Sequence, residues 1–179
     1  MRKLSHDEIS QKRLTVEQLR RTERFPIYAL IDNVRSLYNV GSIFRTSDGA
    51  RIEKLFLTGF TPHPPRAEIE KTALGATKTV PWEYFKDPLK AIQTVKKLGA
   101  RICVLEQTDR SMPHYAVGKE NFPLCLVVGN EISGISSEII ARADFAVEIR
   151  MFGMKQSLNV AVAYGIGLFE LVRTWNQSR

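Results

Sequence analysis

The chain has 179 residues, of which 44% are hydrophobic and 25% are charged, and its formal net charge at pH 7 is +7. This length suits one domain with a substantial core, and the balance of apolar and charged residues excludes an intrinsically disordered chain. The positive charge favours a polyanionic partner such as nucleic acid without proving one. Two cysteines within apolar runs and three scattered histidines show no metal-ligand spacing, so we expect no metal site.

The first 24 residues differ in composition from the rest of the chain. They contain seven basic and four acidic residues and only a thin apolar stripe, a pattern typical of a solvated helix or arm. We therefore predict a basic extension at residues 1–24 and a single domain at residues 25–179. No apolar region follows the charges of the N-terminus, so we expect a cytoplasmic protein without a signal peptide or a membrane span.

Beyond Pro26, apolar runs alternate with stretches of helical periodicity. Strands are predicted at residues 27–31, 54–57, 102–105, 124–128 and 145–149, with a further short strand near Val80. Helices are predicted at residues 40–50, 66–74, 88–98, 136–143 and 157–174. This alternation without repeats predicts an α/β fold, in which a mostly parallel sheet carries helices on both faces.

The segment at residues 37–50 follows the first strand and contains Asn39 and Arg45. In an α/β fold, the segment after a strand borders the crevice where ligands bind. An ordinary helix N-cap would also explain Asn39, and an exposed arginine on a solvated helix face would explain Arg45. These residues alone leave both interpretations open.

The segment at residues 124–135 places Gly129, Asn130 and Glu131 directly after a buried strand. Glycine permits a close backbone approach to a ligand, although a strand-ending turn would also suit Gly and Asn. The segment is not a Walker phosphate loop, because no glycine in it is followed by Lys and Ser or Thr. No Gly-x-Gly-x-x-Gly pattern follows the first strand either, which disfavours a dinucleotide-binding enzyme.

The third segment runs from the Gly-containing loop at residues 151–156 into the last helix. Ser157 and Asn159 lie at the start of that helix, where their side chains can cap unpaired N–H groups. A loop that leads into a helix N-terminus often forms a ligand site. The alternative is a capped core helix with no role in binding.

Taken in this order, the three segments resemble the signature motifs of the SpoU/TrmH-type branch of the SPOUT superfamily. These proteins are S-adenosylmethionine-dependent RNA ribose 2′-O-methyltransferases, and the resemblance spans about residues 25–175. It implies a C-terminal deep trefoil knot (the α/β knot), which the strand and helix pattern does not reveal. It also implies S-adenosyl-L-methionine as the cofactor, tRNA or rRNA as the partner, and a homodimer paired through the apolar last helix, which carries Leu168 and Phe169.

The resemblance also implies roles for individual residues. The catalytic set is Asn39, Arg45, Glu131, Ser157 and Asn159. Arg45 would hold the phosphate beside the ribose and stabilise the developing alkoxide, since a guanidinium keeps its proton and is no general base. Glu131 would orient Arg45 or accept a proton. In a homodimer, Asn39 and Arg45 of one subunit would serve the cofactor of the other.

The implied cofactor contacts come from Gly129, Ile149, Met151, Ser157 and Leu158. Members of the family usually have Pro where this chain has Arg150. The change either loosens the loop or adds a cation near the RNA. Residues 106–108 end a predicted strand, and we expect them to border the same pocket.

Two other functions compete with a methyltransferase. A non-catalytic RNA-binding relative would keep the fold, but it would not need all five residues of the catalytic set. An unrelated nucleotide-binding enzyme is disfavoured by the missing phosphate loops. Residues 1–24 are either an RNA-contacting arm or a mobile terminus.

Overall fold

Seven parallel strands form the centre of the computed structural model, which describes residues 1–177. The strands are β1 (Phe25–Asp32), β2 (Ile52–Thr58), β3 (Trp82–Phe85), β4 (Arg101–Leu105), β5 (Met112–Pro113), β6 (Leu124–Val128) and β7 (Phe145–Glu148). Their order in the sheet is β3-β2-β1-β6-β4-β7-β5, and every neighbouring pair is parallel. This confirms the predicted parallel sheet. The last two residues of the predicted domain, 178 and 179, lie outside the described residues.

The helices of the domain lie on both faces of the sheet, as the sequence predicts. They are α3 (Leu37–Gly49), α4 (Ala67–Ala73), α5 (Pro88–Lys97), α6 (Ser137–Ile140) and α7 (Val160–Gln177). Helices α3, α4 and α7 pack on one face, and α5 and α6 pack on the other. Side chains of β1 alternate between the two cores, with Ala29 and Ile31 facing α3 and Leu30 facing α5.

The N-terminal extension forms two short helices, α1 (His6–Gln11) and α2 (Val16–Arg21). Each begins with a capping box, in which Ser5 or Thr15 exchanges hydrogen bonds with the residue three positions later. Neither helix contains a buried residue, and the side chains of Leu14 and Val16 are exposed. The helices are therefore set by local capping rather than by packing into a core. None of the helices in residues 1–177 is both long and apolar enough to cross a membrane.

Several predicted boundaries differ from the structure. Helix α3 begins three residues before the predicted position 40, because the Ser36 side chain caps it by accepting from the Asn39 N–H. The strand predicted near Val80 lies at 82–85, and the predicted helix at 136–143 keeps only residues 137–140. The short strand β5 went unpredicted, because two residues carry no period. The predicted trefoil knot stays a prediction.

The topology creates a crevice between two neighbouring strands. The chain leaves β1 into α3 on one face of the sheet, and it leaves β6 into α6 on the opposite face. Where consecutive helices diverge in this way, the carboxyl ends of the two strands border a cleft in which α/β proteins bind ligands. Residues 33–36 follow β1 and residues 129–131 follow β6, so the first two motifs meet here.

Candidate active site

The side chain of Glu131 bridges this crevice. Its carboxylate accepts hydrogen bonds from the backbone N–H groups of Arg35 (3.0 Å) and Ser36 (3.1 Å) and from the side-chain amide of Asn39 (2.9 Å). Partial burial raises the pKa of Glu131, but these hydrogen bonds outweigh burial and leave the pKa below its ordinary value. Glu131 is therefore ionised at neutral pH and is a weak proton acceptor.

Asn39 connects Glu131 to the third motif. Because Ser36 already caps α3, the side chain of Asn39 is not the helix cap. Its Nδ2 donates to Glu131, and its Oδ1 accepts from Nδ2 of Asn159 at 3.1 Å. One hydrogen-bonded chain, Glu131–Asn39–Asn159, thus joins all three motifs within one subunit.

Asn159 combines the two roles that the sequence left open. Its Oδ1 accepts from the backbone N–H of Ala161 at 2.9 Å and caps α7, while its Nδ2 reaches Asn39. The last helix therefore begins at Val160, and the predicted start at Ser157 is wrong. Ser157 lies in the exposed loop before the helix instead.

The loop at residues 129–135 has a fixed shape. The backbones of Asn130 and Gly134 exchange two hydrogen bonds of 3.0 Å, and Asn130 Nδ2 donates to the carbonyl of Asn33 at 2.8 Å. A Cβ atom at Gly129 would lie closer than 3.0 Å to backbone atoms of Gly134 and Ile135. Gly134 itself has a φ of +69°, a conformation that favours glycine. The loop can close in this way only with glycine at 129.

A cavity of about 540 Å³ lies beside this loop. Its lining includes all five residues predicted to bind the cofactor, namely Gly129, Ile149, Met151, Ser157 and Leu158. Glu131 and Asn159 also line it, whereas Asn39 stands behind them and does not. The structure thus brings residues around 129–131, 149–151 and 157–159 together around one cavity.

The chemistry of the cavity fits S-adenosylmethionine. Its volume lies in the range of small-molecule sites, and its lining combines apolar side chains with polar groups that can fix the orientation of a ligand. Three carboxylates line it, from Glu106, Glu131 and Glu148, and its lining contains no Lys, Arg or His. The cofactor carries two positive charges and one negative charge, so an acidic lining complements it.

Arg45 stands apart from this cluster. It lies six residues after Asn39 on α3, about 240° further around the helix. Its side chain is exposed, does not line the cavity, and forms no hydrogen bond or ion pair with any residue in the described range 1–177. Within one subunit, the expectation that Glu131 orients Arg45 is wrong, because the carboxylate is already occupied by Arg35, Ser36 and Asn39.

Of two further residues near the site, Glu106 shapes the cavity and Arg150 does not line it. Glu106 accepts hydrogen bonds from the backbone N–H of Gln107 at 2.9 Å and of Ile135 at 3.2 Å, so it ties β4 to the loop at 129–135. Of residues 106–108, which we expected to border the pocket, Glu106 and Gln107 line the cavity and Thr108 does not. Arg150 is exposed, lies 4.0 Å from Glu148, and does not line the cavity. Within residues 1–177, no group of three or more His, Cys, Asp or Glu could hold a metal ion.

Comparisons with known proteins agree with these motifs. Residues 26–169 match the model of the SpoU rRNA Methylase family. The chain is 36% identical over 143 residues to the tRNA (guanosine(18)-2′-O)-methyltransferase of Aquifex aeolicus, covering 79% of this chain and 66% of that enzyme. The crystal structure of the A. aeolicus TrmH/SpoU tRNA modifying enzyme superposes with a TM-score of 0.79 at 32% identity, covering 91% of this chain and 83% of that one.

The AdoMet-bound rRNA methyltransferase of Sinorhizobium meliloti superposes with a TM-score of 0.78 at 28% identity, covering 87% of this chain and 59% of that one. The chain therefore spans about two thirds of the Aquifex enzyme and less of the Sinorhizobium protein. The family match covers most of the sequence, including every residue that forms the hydrogen-bonded chain and the cavity described above. The chain belongs to the SpoU rRNA methylase family.

Proposed function

We propose that this protein transfers the methyl group of S-adenosylmethionine to a ribose 2′-oxygen in structured RNA, either tRNA or rRNA. One observation carries the proposal: the chain Glu131–Asn39–Asn159 joins three motifs beside a cavity whose acidic lining suits the cofactor. The names of the relatives support RNA as the substrate class, since one is a tRNA enzyme and another an rRNA enzyme. RNA as the substrate also supports a cytoplasmic location.

S-adenosylmethionine supplies a methyl group on a sulfonium, which makes its carbon electrophilic. Bound in the cavity, it would present that carbon to in-line attack by the ribose 2′-oxygen, and the carbon–sulfur bond would break to release a neutral thioether. The protein then has to position the ribose and to stabilise negative charge on its oxygen. We assign charge stabilisation to Arg45, whose guanidinium keeps its proton and can also hold the adjacent phosphate.

The remaining residues of the catalytic set act as positioning groups in this mechanism. Glu131 holds the Asn39 amide, and Asn39 in turn holds Asn159 at the start of α7. Ser157 is an exposed residue that also lines the cavity. Because hydrogen bonds lower the pKa of Glu131, we infer that the 2′-hydroxyl proton leaves towards a phosphate oxygen or water.

We further propose a homodimer that pairs through α7. Val162, Ile166 and Phe169 are 51%, 39% and 50% exposed, and their spacing places them along one stripe of the helix. The stripe borders α3, because a Cβ at Gly49 would lie 3.8 Å from the ring of Phe169. Arg45 lies one turn before Gly49 on the same side of α3, so it projects towards the proposed interface.

This arrangement gives Arg45 a route to the cavity of the partner subunit, whereas Asn39 is hydrogen-bonded within its own subunit. The structure also decides which residues should be substituted to test the dimer. Leu168 is fully buried in the core of its own chain, so only Phe169 of the expected pair belongs to the interface.

Calorimetric titration with S-adenosylmethionine tests the proposal, because it separates a methyltransferase from an RNA-binding relative without a cofactor. We expect one binding event per subunit. Gly153 does not line the cavity, and a Cβ atom there would lie in open space. Gly153→Ala is therefore a control variant that should bind the cofactor as well as the wild type does. Failure of the wild-type protein to bind the cofactor would contradict the proposal.

A further inference from the structure

A second groove, of about 450 Å³, lies next to the cofactor cavity. The two share Ser133, Gly134, Ile135 and Ile140, so the end of the loop at 129–135 forms a common wall. The other wall comes from the carboxyl end of β1 and from Phe60, which follows β2. The groove therefore opens at the same edge of the sheet as the candidate active site.

The groove combines polar groups with the apolar side chains of Ile135 and Ile140 and with one exposed aromatic ring. Asp32 is buried at its base, and its carboxylate accepts from the N–H of Ser136 and the side-chain amide of Asn33, each at 2.9 Å. The hydroxyl of Ser136 is buried and has no hydrogen-bond partner within residues 1–177. Leaving such a group unsatisfied costs about 1–3 kcal/mol, which a ligand with polar edges can recover. Phe60 is 61% exposed above these groups.

The backbone holds Phe60 firmly although its ring is exposed. Its N–H donates to Oδ1 of Asn33 at 3.1 Å, and the carbonyl of the preceding Gly59 accepts from the hydroxyl of Tyr84 at 2.6 Å. The next residue, Thr61, is 2% exposed and accepts from the N–H of Val34 at 3.1 Å. The ring is thus presented on a fixed loop, which lowers the entropy lost when a ligand stacks on it.

The surroundings of the ring suit a polyanion with planar groups. His63 on the same loop contacts Tyr84 with the two rings tilted and their centroids 4.6 Å apart. Arg35, Arg66 and Lys86 are exposed, and their side chains form no hydrogen bond or ion pair with the described residues 1–177. Aromatic faces beside unpaired cations are the pattern with which proteins bind unpaired RNA bases and their phosphates.

We propose that this groove binds a nucleobase adjacent to the nucleotide that is methylated, with the base stacked on Phe60 and its polar edge facing Asn33 and Ser136. The inference rests on the proposed function, since it needs RNA as the substrate. Proximity supports it: residues 33–36 link the two sites, because Asn33 holds Phe60 while Arg35 and Ser36 hold Glu131. A groove with an exposed ring, a polar base and exposed cations on the adjoining segments suits a nucleobase better than an apolar helix.

Three variants test the inference. Phe60→Ala removes the ring, Phe60→Trp keeps a stacking surface, and Tyr115→Ala removes a ring of similar exposure (56%) near β5, at the opposite edge of the sheet. The probe is an unstructured RNA of about twelve nucleotides that contains 2-aminopurine, whose fluorescence falls on stacking. Stacking on one aromatic ring corresponds to about a 5- to 150-fold change in Kd.

We expect Phe60→Ala to raise the Kd for this RNA within that range and to lose fluorescence quenching. Phe60→Trp and Tyr115→Ala should behave like the wild type. Wild-type affinity and quenching in Phe60→Ala, at an unchanged melting temperature, would overturn the inference, and so would equal losses in Tyr115→Ala. The Kd for S-adenosylmethionine is measured in parallel to distinguish failure of this inference from failure of the proposed function. If the proposed function is wrong, the wild-type protein will not bind the cofactor.

Discussion

Substitution of Gly129 tests whether the loop at 129–135 shapes the cofactor cavity. In Gly129→Ala, the new methyl group would overlap backbone atoms of Gly134 and Ile135, which a rotamer change cannot relieve. Gly153→Ala is the matched control, because a Cβ there has nothing within 4 Å. Both variants add one methyl group to a loop beside the same cavity, and only the first is predicted to strain it.

The expected strain follows from the cost of overpacking, about 1–3 kcal/mol. If the loop keeps its shape, this free energy is lost from folding, and a protein of this size loses about 2–4 °C in Tm for each kcal/mol. If the loop relaxes away from its binding shape, cofactor binding has to restore it, and the Kd for S-adenosylmethionine rises about 5- to 150-fold. The strain therefore shows in one of two measurable quantities.

Thermal unfolding and calorimetric titration, performed on both variants and the wild type, measure these quantities. We expect Gly129→Ala to show a lower Tm, a higher Kd, or both, and Gly153→Ala to match the wild type. If Gly129→Ala equals Gly153→Ala in Tm and in Kd, the close packing of the loop does not shape the cavity.

Four further outcomes are expected. Arg45→Ala should lower methyl transfer about 100-fold or more while leaving the Kd for the cofactor nearly unchanged, because we assign Arg45 to the ribose oxygen and its phosphate rather than to the cofactor. Near-normal turnover would remove Arg45 from the mechanism. Phe169→Lys should dissociate the dimer in light scattering, because it buries an unpaired charge; a monomeric wild type would remove the shared-site proposal. Deletion of residues 1–24 should make RNA binding less dependent on salt. The slope of log binding constant against log salt concentration should fall by about one to three units, since each lost phosphate contact contributes about 0.7–0.9. An unchanged slope with a lower Tm would show that the extension contributes to stability instead. Glu131→Gln should lower the free energy of unfolding at neutral pH, and the difference from the wild type should shrink as the pH falls below about 4.3. The reason is that the lowered pKa of Glu131 reflects stabilisation of the ionised carboxylate, which is lost when the carboxylate is protonated. A difference that does not depend on pH would contradict the hydrogen-bonded carboxylate.

The sequence predicted the architecture because buried parallel strands are continuous apolar runs. Residues 124–128, for example, form β6 with the predicted bounds, and all five are buried. The predicted helix starts are wrong where more than one polar side chain near the N-terminus could cap the helix. At α3 the structure selects Ser36 as the cap, where the sequence analysis considered Asn39. At α7 it selects Asn159 from the two candidates, Ser157 and Asn159, that the sequence analysis considered.

The sequence analysis predicted which residues belong to the site but not which of their side chains contact one another. The family resemblance implied five cofactor residues that do line one cavity, because they follow strand ends that the sheet brings together. Spacing along the chain could not show that Glu131 binds Asn39 instead of Arg45, since that depends on the direction in which each side chain leaves α3. The groove beside Phe60 was equally out of reach, because its walls come from three separate loops.

The most direct test of the proposed activity is to identify the methylated product. Purified protein is incubated with S-adenosylmethionine that carries a labelled methyl group and with RNA from a strain that lacks this gene, and the RNA is then digested to nucleosides and analysed by mass spectrometry. We predict a labelled 2′-O-methylribonucleoside at one position, with the label lost in Arg45→Ala. Label on a base, or no transfer to any RNA by a protein that binds the cofactor, would contradict ribose 2′-O-methylation.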